Sequence, residues 1–83
     1  MTYTPEMFEE LKVLCLFNLS TTQEGIKVHA TTADAEKVAA TRRLYERGLV
    51  TQPDGGYLTG LGHDAALQAQ GLLTILSTAA VTT

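Results

Sequence analysis

Five of the six basic residues lie between positions 27 and 47, and they are the side chains best suited to chemistry in this sequence. They are Lys27, Lys37, Arg42, Arg43 and Arg47. The same segment holds three acidic residues, so it carries an excess of two positive charges, whereas the rest of the chain is acidic. Lysine and arginine contact phosphates, and arginine also reads guanine in the major groove. This segment is therefore the candidate contact with a nucleic acid, and a solvated helix of mixed charge is the alternative interpretation.

Other kinds of chemistry find little support. His29 and His63 lie far apart and Cys15 is the single cysteine, so no metal-binding spacing is present. Glu9 and Glu10 are adjacent and point to different sides of a helix, so they cannot form a close catalytic pair of carboxylates. The glycines match neither common phosphate-binding motif, and no serine has an evident histidine and aspartate partner. We therefore expect no enzyme activity, no cofactor and no metal site.

The elements that position these residues must come from one small domain spanning residues 1–83. A chain of 8.9 kDa is expected to fold with a surface of roughly 4,800 Å². Its net charge of −3 argues against a protein that coats nucleic acid through charge alone. The single cysteine excludes an internal disulfide, and the acidic N-terminal segment does not resemble a signal peptide, so we expect a cytoplasmic protein.

The first part of the chain predicts a helix over 5–18 followed by an ambiguous segment. Thr4 is suited to cap this helix and Pro5 to occupy its first position, and apolar residues then recur at helical spacing. Residues 21–29 contain two capping-box patterns, which favour a short helix. The alternation after Gly25 favours a strand instead, and both interpretations remain open, with a lean toward helix.

A second long helix is predicted over 33–47, with Thr31 and Thr32 as its N-terminal cap and Gly48 at its end. A hairpin over 49–59 follows, because proline and two glycines separate two short apolar runs. Tyr45, on the second long helix, and Tyr57, on the hairpin, are both expected in the core.

The last helix is predicted over 60–78 with Thr59 as its cap, and residues 79–83 are expected to fray. No residue after Asp64 is charged, yet polar residues interrupt the apolar run, which argues against a membrane span. A helix this apolar favours a partner surface, most simply a second copy. The residues expected in such a dimer interface are Leu61, Leu72, Ile75 and Leu76.

The segment LYERGLVTQPDGGYLTGLG resembles the end of the recognition helix and the wing of MarR-like winged helix-turn-helix regulators. The matching positions are Leu44, Gly48, Leu49, Val50, Leu58, Thr59 and Gly62. The whole chain is also similar to a family of short bacterial proteins of unknown role that are described as DNA-binding. The resemblance implies a mainly α fold with a β-hairpin, in the winged helix-turn-helix arrangement.

Two functions follow from this interpretation. The first is a homodimeric transcriptional regulator that binds duplex DNA. Its base contacts would come from Arg43 and Arg47, and its phosphate contacts from Arg42, Lys37, Lys27, Thr31 and Thr32. The second is a winged-helix interaction or dimerisation module that does not bind DNA. It is motivated by the acidic tip of the wing at Asp54 and by the uncharged stretch after Asp64.

Overall fold

The computed structural model describes residues 2–21, 24–28 and 34–78, and these residues form three helices and one three-stranded antiparallel sheet. The elements in chain order are α1 (Pro5–Leu14), β1 (Ile26–Lys27), α2 (Ala35–Glu46), β2 (Val50–Gln52), β3 (Gly55–Leu58) and α3 (Gly60–Ser77). The predicted fraying of 79–83 falls outside the described residues, and so do Thr31 and Thr32.

Helix α1 begins as predicted and ends earlier than predicted. The Thr4 hydroxyl accepts a hydrogen bond from the Met7 amide, and proline occupies the first helical position. The regular helix ends at Leu14 rather than at residue 18, and the side chain of Gln70 on α3 donates to the carbonyl oxygens of Leu14 and Phe17 at 3.1 and 2.7 Å. A distant side chain thus satisfies carbonyls that a helix end leaves without partners.

The ambiguous segment contains a strand at Ile26–Lys27, so the lean toward a helix is wrong at these residues. Strand β1 pairs with β3, with Ile26 opposite Gly56, and the strand order in the sheet is β1-β3-β2. Gly25 permits this pairing because a Cβ there would collide with the Gly56 carbonyl oxygen. This pairing depends on strand β3, about thirty residues further along the chain, and local capping patterns contain no information about so distant a partner.

Helix α2 begins at Ala35, two residues later than predicted. Its cap is Asp34 and not the predicted pair of threonines at 31 and 32; the Asp34 carboxylate accepts from the Lys37 amide at 2.7 Å. The helix ends at Glu46, one residue before the predicted end, and Gly48 adopts φ +78° just beyond it. The described residues between β1 and β2 contain one helix, which is compatible with a helix-hairpin-helix layout, and the predicted winged helix-turn-helix arrangement is not confirmed.

The predicted hairpin is confirmed, with a tighter turn than expected. Pro53 and Asp54 alone connect the two strands, and both glycines belong to β3. Gly55 and Gly56 have φ of +123° and +71°, and the register shifts between Val50 and Gln52. This irregularity explains why glycine is needed inside a strand.

Helix α3 closes the domain over a core drawn from every helix and from β2. Thr59 caps α3 as predicted, since its hydroxyl accepts from the Gly62 amide at 3.0 Å. The core residues are Val13, Leu14, Phe17, Ala40, Leu44, Val50, Ala66 and Ala69. Gly62 lies so close to the hairpin that a Cβ there would collide with the Leu49 carbonyl oxygen. The absence of a side chain therefore sets how closely α3 approaches the hairpin.

We expect Gly62→Ala to lower the free energy of unfolding by about 3 kcal/mol, because the added methyl group meets backbone atoms that cannot rotate away. Urea denaturation followed by circular dichroism measures this change. Gly71→Ala is the matched control, since nothing lies near its Cβ position and alanine favours a helix by about 0.5–1 kcal/mol over glycine. Equal effects of the two substitutions would contradict the close approach.

Candidate nucleic-acid interface

The two arginines predicted to contact DNA bases lie on one side of α2 and its C-terminal end, and that side faces α1. Arg43 Nε donates to Glu10 Oε2 at 2.9 Å, and Arg47 Nη1 forms an ion pair with Glu10 Oε1 at 2.9 Å. Arg43 Nη2 also donates to the Glu6 carbonyl oxygen at 3.2 Å. The side of α2 that was expected to face solvent is therefore in contact with the protein's own first helix.

Glu10 is a buried carboxylate at the centre of this contact. It is 5% exposed and lies on α1 beside the core residues Val13 and Leu14. A buried charge is costly unless it is paired and hydrogen-bonded. Each of its oxygens lies 2.9 Å from an arginine nitrogen, so the group of three side chains carries a net charge of +1 and the buried charge is paired.

Lys27 is held at the tip of the hairpin, where its ammonium lies 3.7 Å from an Asp54 carboxylate oxygen. Lys37 and Arg42 make no ion pair with the residues that the structure describes. They are five positions apart on α2, which directs their side chains about 140° apart around the helix. These basic residues therefore do not form a continuous positive face.

The sixth basic residue, Lys12, pairs with Glu9 at 3.0 Å on the surface of α1. The hydrogen bond from this ammonium to Glu9, together with the charge of that carboxylate, raises the pKa of Lys12 above its ordinary value. The ammonium is thus held in its charged form and directed along its own helix. Thr31 and Thr32, the remaining predicted phosphate contacts, lie outside the described residues.

Sequence reasoning missed the role of Glu10, although the sequence contains a signal for it. Glu10 falls at helical spacing with Val13, Leu14 and Phe17, on the stripe that faces the core. An acid inside an apolar stripe requires a cation from elsewhere in the fold.

The residues predicted for a dimer interface are all exposed on α3; they are Leu61, Leu72, Ile75 and Leu76. Tyr45 and Tyr57 were expected in the core and are instead exposed, since the inward side of α2 is filled by smaller residues and Tyr57 follows the irregular part of the sheet. Cys15 is half-buried, and this burial raises the pKa of its thiol.

Within the described part of the chain, no three histidine, cysteine, aspartate or glutamate side chains are grouped as ligands for a metal ion. None of the described helices combines the length and the apolar character that crossing a membrane requires.

Comparison with known proteins places the chain in a family. It belongs to DUF5669, a family of unknown function whose model matches residues 1–77. No curated protein matches the chain, and no solved structure matches it.

We expect Glu10→Gln to lower the free energy of unfolding by about 2–3 kcal/mol, because the amide nitrogen would face a guanidinium with a donor instead of an acceptor. Urea denaturation measures this change. Glu9→Gln is the matched control on the neighbouring residue, and its effect should be small, since its partner Lys12 is largely exposed. A Glu10→Gln protein as stable as the Glu9→Gln protein would show that the arginines do not depend on Glu10.

Proposed function

We propose that this member of DUF5669 is a protein interaction module on a winged-helix-like scaffold, which pairs with a second copy of itself through α3 and does not read DNA. The scaffold interpretation draws on the sheet order β1-β3-β2 and on the hairpin that separates α2 from α3. The observation that carries the functional proposal is the exposed apolar end of α3. We define this end, residues 71–77, as the α3 overhang.

The overhang exists because α3 is longer than the helix against which it packs. Its 18 residues span about 27 Å, whereas the 10 residues of α1 span about 15 Å. The buried side of α3 runs through Gly62, Ala66 and Ala69. The same side continues into Leu73 and Leu76, which are 52% and 73% exposed. The apolar side of α3 that packs against the core therefore continues past the end of the core, where it is exposed.

Four large apolar residues of the overhang share one side of the helix; they are Leu72, Leu73, Ile75 and Leu76. At 100° per residue they fall within an arc of about 160°. On the remaining side, the hydroxyls of Thr74 and Ser77 donate to carbonyls of their own helix at 2.9 and 2.6 Å. These hydroxyls have acceptors already, so the overhang can be covered by an apolar partner without leaving them unsatisfied.

The accessible surface and the elongated shape of the molecule are consistent with an α3 overhang that packs against nothing else in the described chain. The accessible surface is 5802 Å², against roughly 4,800 Å² for a typical monomer of this mass. The longest extent is 44 Å, against 28 and 27 Å in the other directions.

A second copy is the occupant that fits this surface best. The overhang has no charged side chain, so it offers nothing to select a charged partner, whereas another overhang matches it in length and chemistry. The exposed fractions of its four large apolar side chains add up to the surface of roughly two and a half fully exposed apolar side chains per copy. Burying two copies contributes roughly 7–15 kcal/mol, against an association cost of about 4–15 kcal/mol. Because the two ranges overlap, the surplus is small, and we take a weak dimer with a Kd between about 10 μM and 1 mM as the expectation to be tested.

The electrostatics of α2 support the absence of a DNA role. Four of the six basic side chains are paired with Glu9, Glu10 or Asp54. Specific DNA recognition requires arginines that can leave their partners for base edges and phosphates. Moving both Arg43 and Arg47 to DNA would leave the buried Glu10 carboxylate without a cation, and moving either one would remove the partner of one of its oxygens; both changes are costly.

We expect the chain to shift from monomer to dimer between about 10 μM and 1 mM in sedimentation equilibrium. Ile75→Lys should abolish the shift, because it places a charge within the apolar arc, at the second most exposed of its four positions. Leu67→Lys is the matched control, since Leu67 is an exposed leucine of the same helix on its opposite side. A strict monomer at 1 mM, or equal effects of the two lysine variants, would refute self-association through the overhang.

We expect no saturable binding of a 30-base-pair duplex at about 50 mM salt, the condition that favours electrostatic association. Fluorescence anisotropy of a labelled duplex measures this, with protein concentrations spanning the monomer and the dimer. The variant Arg42→Ala provides the decisive comparison, because Arg42 is exposed and has no ion pair among the described residues. Binding that weakens in Arg42→Ala would restore the DNA-binding interpretation.

A further inference from the structure

A cleft of about 520 Å³ lies at the end of α3 opposite the overhang. One wall is the segment after α1, and the other is the end of β3 with the first turn of α3. Phe17 and Leu58 supply its apolar surface, and the polar side chains that line it include Asn18, Glu24, His63 and Asp64. Its size lies within the range of small-molecule sites, which are about 300–1,000 Å³.

The charge of this cleft is negative and is not neutralised by the protein itself. Glu24 and Asp64 line it, and no lysine or arginine does. Four of the basic residues are committed to other acids, and the remaining two lie on α2, away from the lining. The Asp64 carboxylate makes no hydrogen bond or ion pair with the described residues. The Glu24 carboxylate accepts one hydrogen bond from them, from the Asn18 side chain at 3.2 Å.

The first turn of α3 opposes this charge only in part. The N-terminus of a helix is equivalent to about half a positive charge, and the Thr59 hydroxyl already accepts from one of its free amides. Two full carboxylate charges outweigh that half charge. An anionic ligand would therefore be repelled overall, and a cationic ligand would be attracted.

We propose that this cleft binds a small organic cation, an ammonium group joined to an apolar body. The ammonium lies between Glu24 and Asp64, and the apolar body contacts Phe17 and Leu58. Phe17 is held in place because Gln70 binds its carbonyl oxygen at 2.7 Å, so part of the apolar surface is preformed. This inference is independent of self-association, since the cleft and the overhang are about 18 Å apart along α3.

Three probes of similar size separate charge from apolar contact: phenethylamine, 2-phenylethanol and 3-phenylpropanoate. In ¹H–¹⁵N correlation spectra of the full chain at low salt, phenethylamine should cause saturable shifts at the amides of Leu58, Gly60 and His63, with a millimolar Kd. The alcohol should bind more weakly, and the carboxylate should cause no saturable shift. High salt should weaken the binding of phenethylamine.

Asp64→Asn should weaken phenethylamine binding about two- to fivefold, as expected for the loss of one exposed charge partner. Glu36→Gln, which removes an exposed acid of α2 outside the lining, should leave the affinity unchanged. Ile75→Lys should bind phenethylamine as the unmodified chain does, which separates this test from the test of self-association. Equal affinity for the carboxylate, shifts elsewhere on the protein, or no saturation by phenethylamine would each overturn the proposal.

Discussion

The arrangement of the helices depends on one buried carboxylate. Glu10 lies on the side of α1 that faces the core, where an unpaired charge would be costly, and each of its oxygens is paired with one arginine, Arg43 or Arg47. Because these arginines lie four residues apart, about one helical turn, the two ion pairs restrain how α2 lies against α1. The same contact pairs the two arginines that were predicted to contact DNA bases with a carboxylate of the protein itself.

The parts of the fold that were predicted correctly are those whose cause is local. Thr4 and Thr59 cap helices through amides three residues away, and Gly48 ends a helix through its own backbone angle. The tight turn at Pro53 likewise follows from the residues in it. Each of these features depends only on a few neighbouring residues, so it can be predicted from the local sequence.

Several of the parts that were predicted wrongly depend on distant partners, although the cap of α2 at Asp34 is local. The strand at Ile26–Lys27 exists because β3 is there to pair with it, and Gly25 matters because the Gly56 carbonyl approaches it. The early end of α1 is accompanied by bonds from Gln70, which lies more than fifty residues further along the chain. The same holds for the candidate interface, where spacing placed the arginines on one side of a helix but could not show that α1 covers it.

The joint at Thr59 has a mechanical consequence. Its hydroxyl donates to the Gly48 carbonyl at 2.6 Å and accepts from the Gly62 amide, while its own amide donates to the Leu49 carbonyl at 3.1 Å. One residue therefore clamps the end of α2, the base of the hairpin and the start of α3. These three hydrogen bonds restrain the connection between the hairpin and α3. A force that displaces the far end of α3 is therefore transmitted to the hairpin.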